Sequence, residues 1–136
     1  MADLTITASD VVPPATGVNA GTAGEAILAG QSVYLDSTDS NKVKLADADN
    51  TAATAAAVGI AVNSAPKAGQ PVSYVTLGDL TVTSATVGEI YVVSGTAGGV
   101  APEADLATND YVTILGIGKT ATSIAVKVHV SEIQVP

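Results

Sequence analysis

The chain reads as all-β: a small antiparallel β-sandwich or β-barrel of short strands with an extended N-terminal arm. Three observations predict this. Runs rich in Val, Ile, Thr and Tyr recur about every eight to twelve residues, the spacing of an all-β domain. Asn, Asp and Gly clusters separate them, as in the 36–41 stretch "DSTDSN", at Gly98-Gly99 and at Asn109-Asp110, where these residues supply local hydrogen bonds or positive φ. Several runs also alternate apolar with polar residues, the period of a half-buried strand.

The first such run is "LTITA" at 4–8, in which Leu4 and Ile6 point one way and Thr5 and Thr7 the other. Pro13 and Pro14 follow; neither donates a ladder hydrogen bond, so pairing should stop there. The "GVNAGTAG" stretch at 17–24 is small and Gly-rich and reads as an extended connection. Residues 1–22 are therefore expected to form an arm and tether, and residues 23–136 a β-rich body. The strands expected in the body are 32–36, 42–46, 57–63, 71–76, 79–83, 89–94, 111–119 and 123–130. One helical candidate, "DNTAATAAAV" at 49–58, has Asp49 or Asn50 as a cap but no amphipathic face, which predicts a loop with at most one helical turn.

Two stretches repeat a pattern: "AGQSVY" at 29–34 and "AGQPVSY" at 68–74. Gly30 and Gly69 allow the chain to reverse, and each Gln stands at the mouth of a strand. "VGEIYVVS" at 87–94 is a third instance with Glu89 in the Gln position. A coarser duplication relates "GQSVYLDS…NKVKLAD…VGIA" to "GEIYVVSG…GGVAPEAD…LGIG". Tyr34, Tyr74 and Tyr91 fall at comparable strand positions; they suit an interface, as tyrosine does, and equally suit the widest part of a core.

Composition narrows the function. At 136 residues the chain fits one domain. There is no Phe and no Trp, so the core is built from small aliphatic side chains. At roughly 25 cal/mol per Å² of apolar area such a core is weak alone, which favours an oligomer. The net charge is −8 and all basic side chains are lysines, which disfavours nucleic acid as a partner. No apolar run is long enough to span a bilayer, and the start lacks the pattern of a signal peptide; the simplest expectation is synthesis and assembly in a cytoplasm, with no membrane partner. Cys is absent, which removes disulfides, thiol chemistry and Cys-ligated zinc.

The motifs that suggest chemistry are incomplete. Gly118-Lys119-Thr120 ends like a phosphate-binding loop, but the position of its first Gly is Thr113 and the following "SIAVKVHV" alternates as a strand. "DADNT" at 47–51 has carboxylates at alternate positions, yet the required Gly is Ala52 and no closing Glu follows. His129 is the sole imidazole and shares a strand face with Lys127. A paired-carboxylate site would need a cleft with aromatic platforms, and only 3% of residues are aromatic. No catalytic residue, cofactor or metal ligand is assigned, and the chain is read as a non-enzyme.

The pieces "AGEAILAGQSVYLDS", "NKVKLADAD", "AVGIAVNSAPKAGQPVSYVTLGD", "VGEIYVVSGTAGGVAPEADL" and "YVTILGIGKTATSIAVKV", in this order from Ala23 to Val130, resemble the bacteriophage capsid cement or head-decoration family. The resemblance implies a structural virion protein that binds the major capsid protein on the outer surface of a tailed-phage head. It also implies homotrimers near local three-fold positions that bridge capsomers. A tail-tip or fibre-associated binding module is the alternative. The N-terminal segment suggests a means of attachment, strand addition to a capsid or neighbouring sheet edge through Leu4, Ile6, Val11 and Val12, or else completion of its own subunit's sheet. Tyr34, Tyr74 and Tyr91 complete the expected interface set.

Overall fold

The computed structural model describes residues 3–136. Its strands are β1 (Val18–Thr22), β2 (Ser32–Asp36), β3 (Lys42–Leu45), β4 (Gly59–Ala61), β5 (Pro71–Val75), β6 (Leu77–Thr81), β7 (Ile90–Val93), β8 (Val100–Pro102), β9 (Tyr111–Thr120) and β10 (Ser123–Gln134). They form two antiparallel five-stranded sheets, ordered β1-β5-β4-β2-β3 and β6-β10-β9-β7-β8. Adding five to each strand number of the first sheet gives the second. The coarse duplication seen in the sequence is thus a duplicated topology, one copy per sheet. A short helical turn lies between the third and fourth strand of each copy: α1 (Ala52–Ala55) in the first and a 3-10 turn at Glu103–Asp105 in the second. The all-β sandwich expected from the sequence is what forms.

The repeated Ala-Gly-Gln pattern has a specific job. Gly30, Gly69 and Gly88 all adopt positive φ, at 95°, 92° and 81°, each as the third residue of a tight turn that opens β2, β5 or β7. Each turn then grips one small residue on another segment with two backbone hydrogen bonds. Gly30 N donates to Ala61 O and Ala61 N to Gln31 O; Gly69 N donates to Ala23 O and Ala23 N to Gln70 O; Gly88 N donates to Gly118 O and Gly118 N to Glu89 O. The Gln side chains lock the turns from within, because Gln31 Oε1 accepts from Leu28 N and Gln70 Oε1 from Lys67 N. Where the third copy has Glu89, the Tyr91 hydroxyl accepts from Thr86 N instead. A Cβ at Gly118 would lie 1.9 Å from Thr86 O, so the gripped residue must be small.

Both faces of the first sheet are covered. One carries Val33, Val43, Ala61, Val72 and Tyr74, which pack with Ala23, Ile27 and Ala65. The edges of this sheet meet over that cluster: Ala23, just past β1, bridges Val43 of β3 in parallel, and Gly24 N donates to Val43 O. The other face carries Ile60 and Val75, which join Leu80, Tyr91, Val93, Val100, Leu115, Ile124 and Val126 of the second half in the core between the sheets.

The extended N-terminal arm expected over residues 1–22 is not confirmed. Met1 and Ala2 lie outside the described residues, and "LTITA" is not a strand: Leu4 to Thr7 are coil and Ala8 opens a 3-10 turn (Ala8–Asp10), because its side chains are used for filling and not for pairing. Residues 3–12 form a strap across the second sheet. Leu4 N donates to Val100 O on the edge strand β8, and Val12 exchanges both backbone bonds with Thr81 on the opposite edge strand β6. Between them Leu4, Ile6 and Val11 pack against the inter-sheet core. Pro13 and Pro14 then end the pairing, as expected. The Gly-rich stretch expected to be a tether contains β1, which pairs with β5 from Val18↔Val75 to Thr22↔Pro71. The helical turn is capped by Thr51 rather than Asp49 or Asn50, through a reciprocal pair in which Thr54 N donates to Thr51 Oγ1 and Thr51 N to Thr54 Oγ1.

The turns and the strap meet at Gly30, where an added Cβ would stand 2.4 Å from Ile6 Cγ2, whereas at Gly69 it would meet nothing within 4 Å. Gly69→Ala should lose about 1–2 kcal/mol of stability from positive φ alone. Gly30→Ala should lose about 1–3 kcal/mol more, because Ile6 and the strap must also be displaced. Urea unfolding of the two variants checks this, and equal losses would show that the strap does not press on the turn.

Candidate interaction surface

The residues expected to form an interface do not form one surface. Leu4, Ile6 and Val11 turn into the inter-sheet core, and Val12 is exposed at the β6 edge. Tyr91 is buried in the same core, with its hydroxyl on Thr86 N. Tyr74 is buried in the cluster on the other face of the first sheet, and burial raises its phenol pKa. Tyr34 is half-buried beside Asp36 and Lys44; burial and then the Asp36 charge raise its pKa. For Tyr74 and Tyr91 the core role is the one observed. Within this chain the strap lies on its own second sheet as coil with one bridge, Val12 to Thr81, and not as a strand of that sheet.

A different surface emerges from the register of the second sheet. Antiparallel partners share a face, so Asp79↔Ala125, Ala125↔Ile117 and Ile117↔Ile90 define one row across β6, β10, β9 and β7. Leu77↔Lys127 and His129↔Ile114 flank it on the same side. Ile124 and Val126, which alternate with these residues, point into the core. Leu77 is 57% exposed and Ile117 48% exposed, while Lys127 and His129 are exposed and form no ion pair among the described residues. Lys119 Nζ reaches Asp79 Oδ2, so the one carboxylate in the row is neutralised. Sequence reasoning placed His129 and Lys127 on one face correctly but missed the isoleucines. The available signal was the duplication, which sets Ile117 of "LGIG" opposite Ile60 of "VGIA".

Acidic side chains gather elsewhere. Asp3, Asp49, Asp105 and Asp110 line a groove of about 270 Å³ with Ser94, Thr96 and Leu106. Ser94 Oγ donates to Asp3, and Ala107 N to Asp110 Oδ2. Asp47, beside the groove, accepts from Asp49 N. Burial, and then the neighbouring Asp49 and Asp110, raise its pKa. Among the described residues no group of three His, Asp or Glu side chains is arranged to hold a metal ion. On β2 and β3 the charges are paired instead: Lys44 Nζ lies 2.8 Å from Asp36 Oδ2 and 3.1 Å from Asp39 Oδ2. That contact, with help from Thr38, lowers the Asp36 pKa to about 2. The Gly118-Lys119-Thr120 stretch lies within β9 and is followed by β10, so no helix opens there.

The Asp47 environment gives a pH dependence of known sign. A carboxyl whose pKa is raised by folding destabilises the fold while ionised; stability rises as pH falls from neutral through the raised folded value towards the ordinary one near 4. Asp47→Asn keeps an acceptor for Asp49 N and removes the charge. The variant should be more stable than the parent at pH 7, and the difference should shrink towards zero by about pH 4. Thermal unfolding across that range measures it, and a pH-independent difference would contradict the assigned cause.

Comparison with known proteins finds no family model that matches the chain and no curated protein that matches it.

Proposed function

We propose that the chain is a structural virion protein that binds the outer surface of a tailed-phage capsid and stabilises the shell by bridging capsomers, acting as homotrimers that contact the major capsid protein. The observation that carries this reading is the outward face of the second sheet, where Leu77 and Ile117 are exposed beside Ile90 and Ile114, whereas the apolar residues on both faces of the first sheet are packed in its two clusters. Contiguous apolar surface on a small protein marks a binding site for another macromolecule. The ordered resemblance from Ala23 to Val130 names the kind of partner. A net charge of −8 keeps free copies soluble until they meet the shell. The role is structural, with no chemistry to perform, and its place is the head exterior.

Purified protein added to tailed-phage heads that lack it should cosediment with them and appear by electron cryo-microscopy as extra density on the outer shell. Decorated heads should resist heat or chelation longer than bare ones. Density at the tail tip or fibres would replace this reading with that of a host-binding module, and no association with particles would overturn both.

A further inference from the structure

We infer that the outward face of the second sheet, and not a strand edge or the N-terminal strap, is the surface that docks on the capsid, and that its partner is an apolar patch rimmed by carboxylates. The inference rests on the capsid reading above and specifies its contact.

Edges are poor candidates because the fold occupies them. The first sheet's two edges are drawn together just past β1, where Ala23 bridges Val43 of β3. In the second sheet β8 carries Leu4 of the strap and β6 carries Val12, after which Pro13 and Pro14 offer no N–H for a further ladder. Strap residues Leu4, Ile6 and Val11 are committed to the core.

The duplication identifies the open face as one built for covering. The Gly30 and Gly88 turns, which open the equivalent strands β2 and β7, grip equivalent residues, Ala61 in the first copy and Gly118 in the second, which aligns Ile60 with Ile117. The registers Ser32↔Ile60, Ile60↔Val75 and Val75↔Val18 then align Ser32, Val75 and Val18 with Ile90, Ala125 and Asp79. In the first copy Ser32, Ile60 and Val75 are wholly buried, Ile60 and Val75 against the other sheet. In the second copy the corresponding row stays apolar at Ile90, Ile117 and Ala125, yet Ile117 is 48% exposed. The same side of the same unit is therefore wholly covered once within the chain and left partly open once: Val92 and Ala101 on that side of the second copy are buried, while Ile117 is not.

Charge selects the partner. Lys127, His129 and the Lys119–Asp79 pair surround the apolar row, so this face carries two lysines and a histidine against one carboxylate in a chain of net charge −8. Carboxylates around an apolar centre would meet Lys127 and His129 on docking.

The test is a binding titration of the full chain on tailed-phage heads, with Ile117→Asp, Leu77→Asp, Lys127→Glu and, as a control at an exposed lysine in the Gly69 turn, Lys67→Glu. Each variant is first checked for the parent's circular dichroism and urea midpoint; Leu77→Asp carries the apolar arm if Ile117→Asp does not fold. An apolar-row variant and Lys127→Glu should each weaken binding about tenfold or more, with Lys67→Glu within about twofold of the parent. The loss at Lys127 should shrink as salt rises. Parent binding that survives both face substitutions overturns the face assignment while leaving the capsid reading in place. Tighter binding by Lys127→Glu overturns the acidic-rim chemistry. Failure of the parent itself to bind overturns the capsid reading, and this inference falls with it.

Discussion

The constraint on which the rest of the fold rests is the pair of backbone hydrogen bonds that each glycine turn makes to one small residue on another segment. A turn alone fixes only the direction of the strand that follows. By gripping Ala61, Ala23 or Gly118 from both sides, the turn also fixes which residue of a distant segment lies beside it, and so sets register. At about 1 kcal/mol net for each hydrogen bond, six such bonds matter in a core that lacks Phe and Trp. Register errors in a strand flip every side chain to the wrong face. In strands as short as β4 or β8, with three residues each, few side chains remain to resist such a slip.

The duplicated units close in different ways. In the first, the residues after β1 curl back so that Gly24 N reaches Val43 O on β3. In the second, no equivalent seam joins β6 to β8 among the described residues, and the strap supplies one, with Leu4 N on Val100 O of β8, the counterpart of β3. The N-terminal segment thus stands in for a piece of chain that the first unit provides for itself. Its side chains fill the same core that Ile60 and Val75 enter from the first sheet. One consequence is that deleting the strap would expose core rather than free a binding arm.

Charge is segregated along with shape. Lys42 and Lys44 are paired with Asp36 and Asp39 on the β2–β3 hairpin, and the carboxylates of the groove around Ser94 lie apart from the lysine-bearing face of β9 and β10. A molecule with so few charges, 13% of its residues, gains orientation from this arrangement more than stability. The face with exposed isoleucine and leucine also carries Lys119, Lys127 and His129 around the paired carboxylate of Asp79, and the two properties suit the same docking event.

Local chemistry made much of the architecture legible. β2 was readable to the residue, and the strand mouths at Gln31, Gln70 and Glu89 followed from turn residues whose conformational needs are their own. β1 and β8 were not legible, because Val18–Thr22 has no apolar alternation and Val100–Pro102 contains a proline; each is a strand by virtue of the neighbour it pairs with. The strap was misread for the converse reason, since Leu4 and Ile6 alternate like a strand but are placed by the cavity they fill. What the sequence determined by itself was the all-β class, the turns and the duplication, all of which depend on residues close together in the chain. Only the tertiary structure decided that Ile60 is buried and Ile117 is not, since whether a sheet face is covered depends on how two distant units pack, and like local patterns carry no record of that.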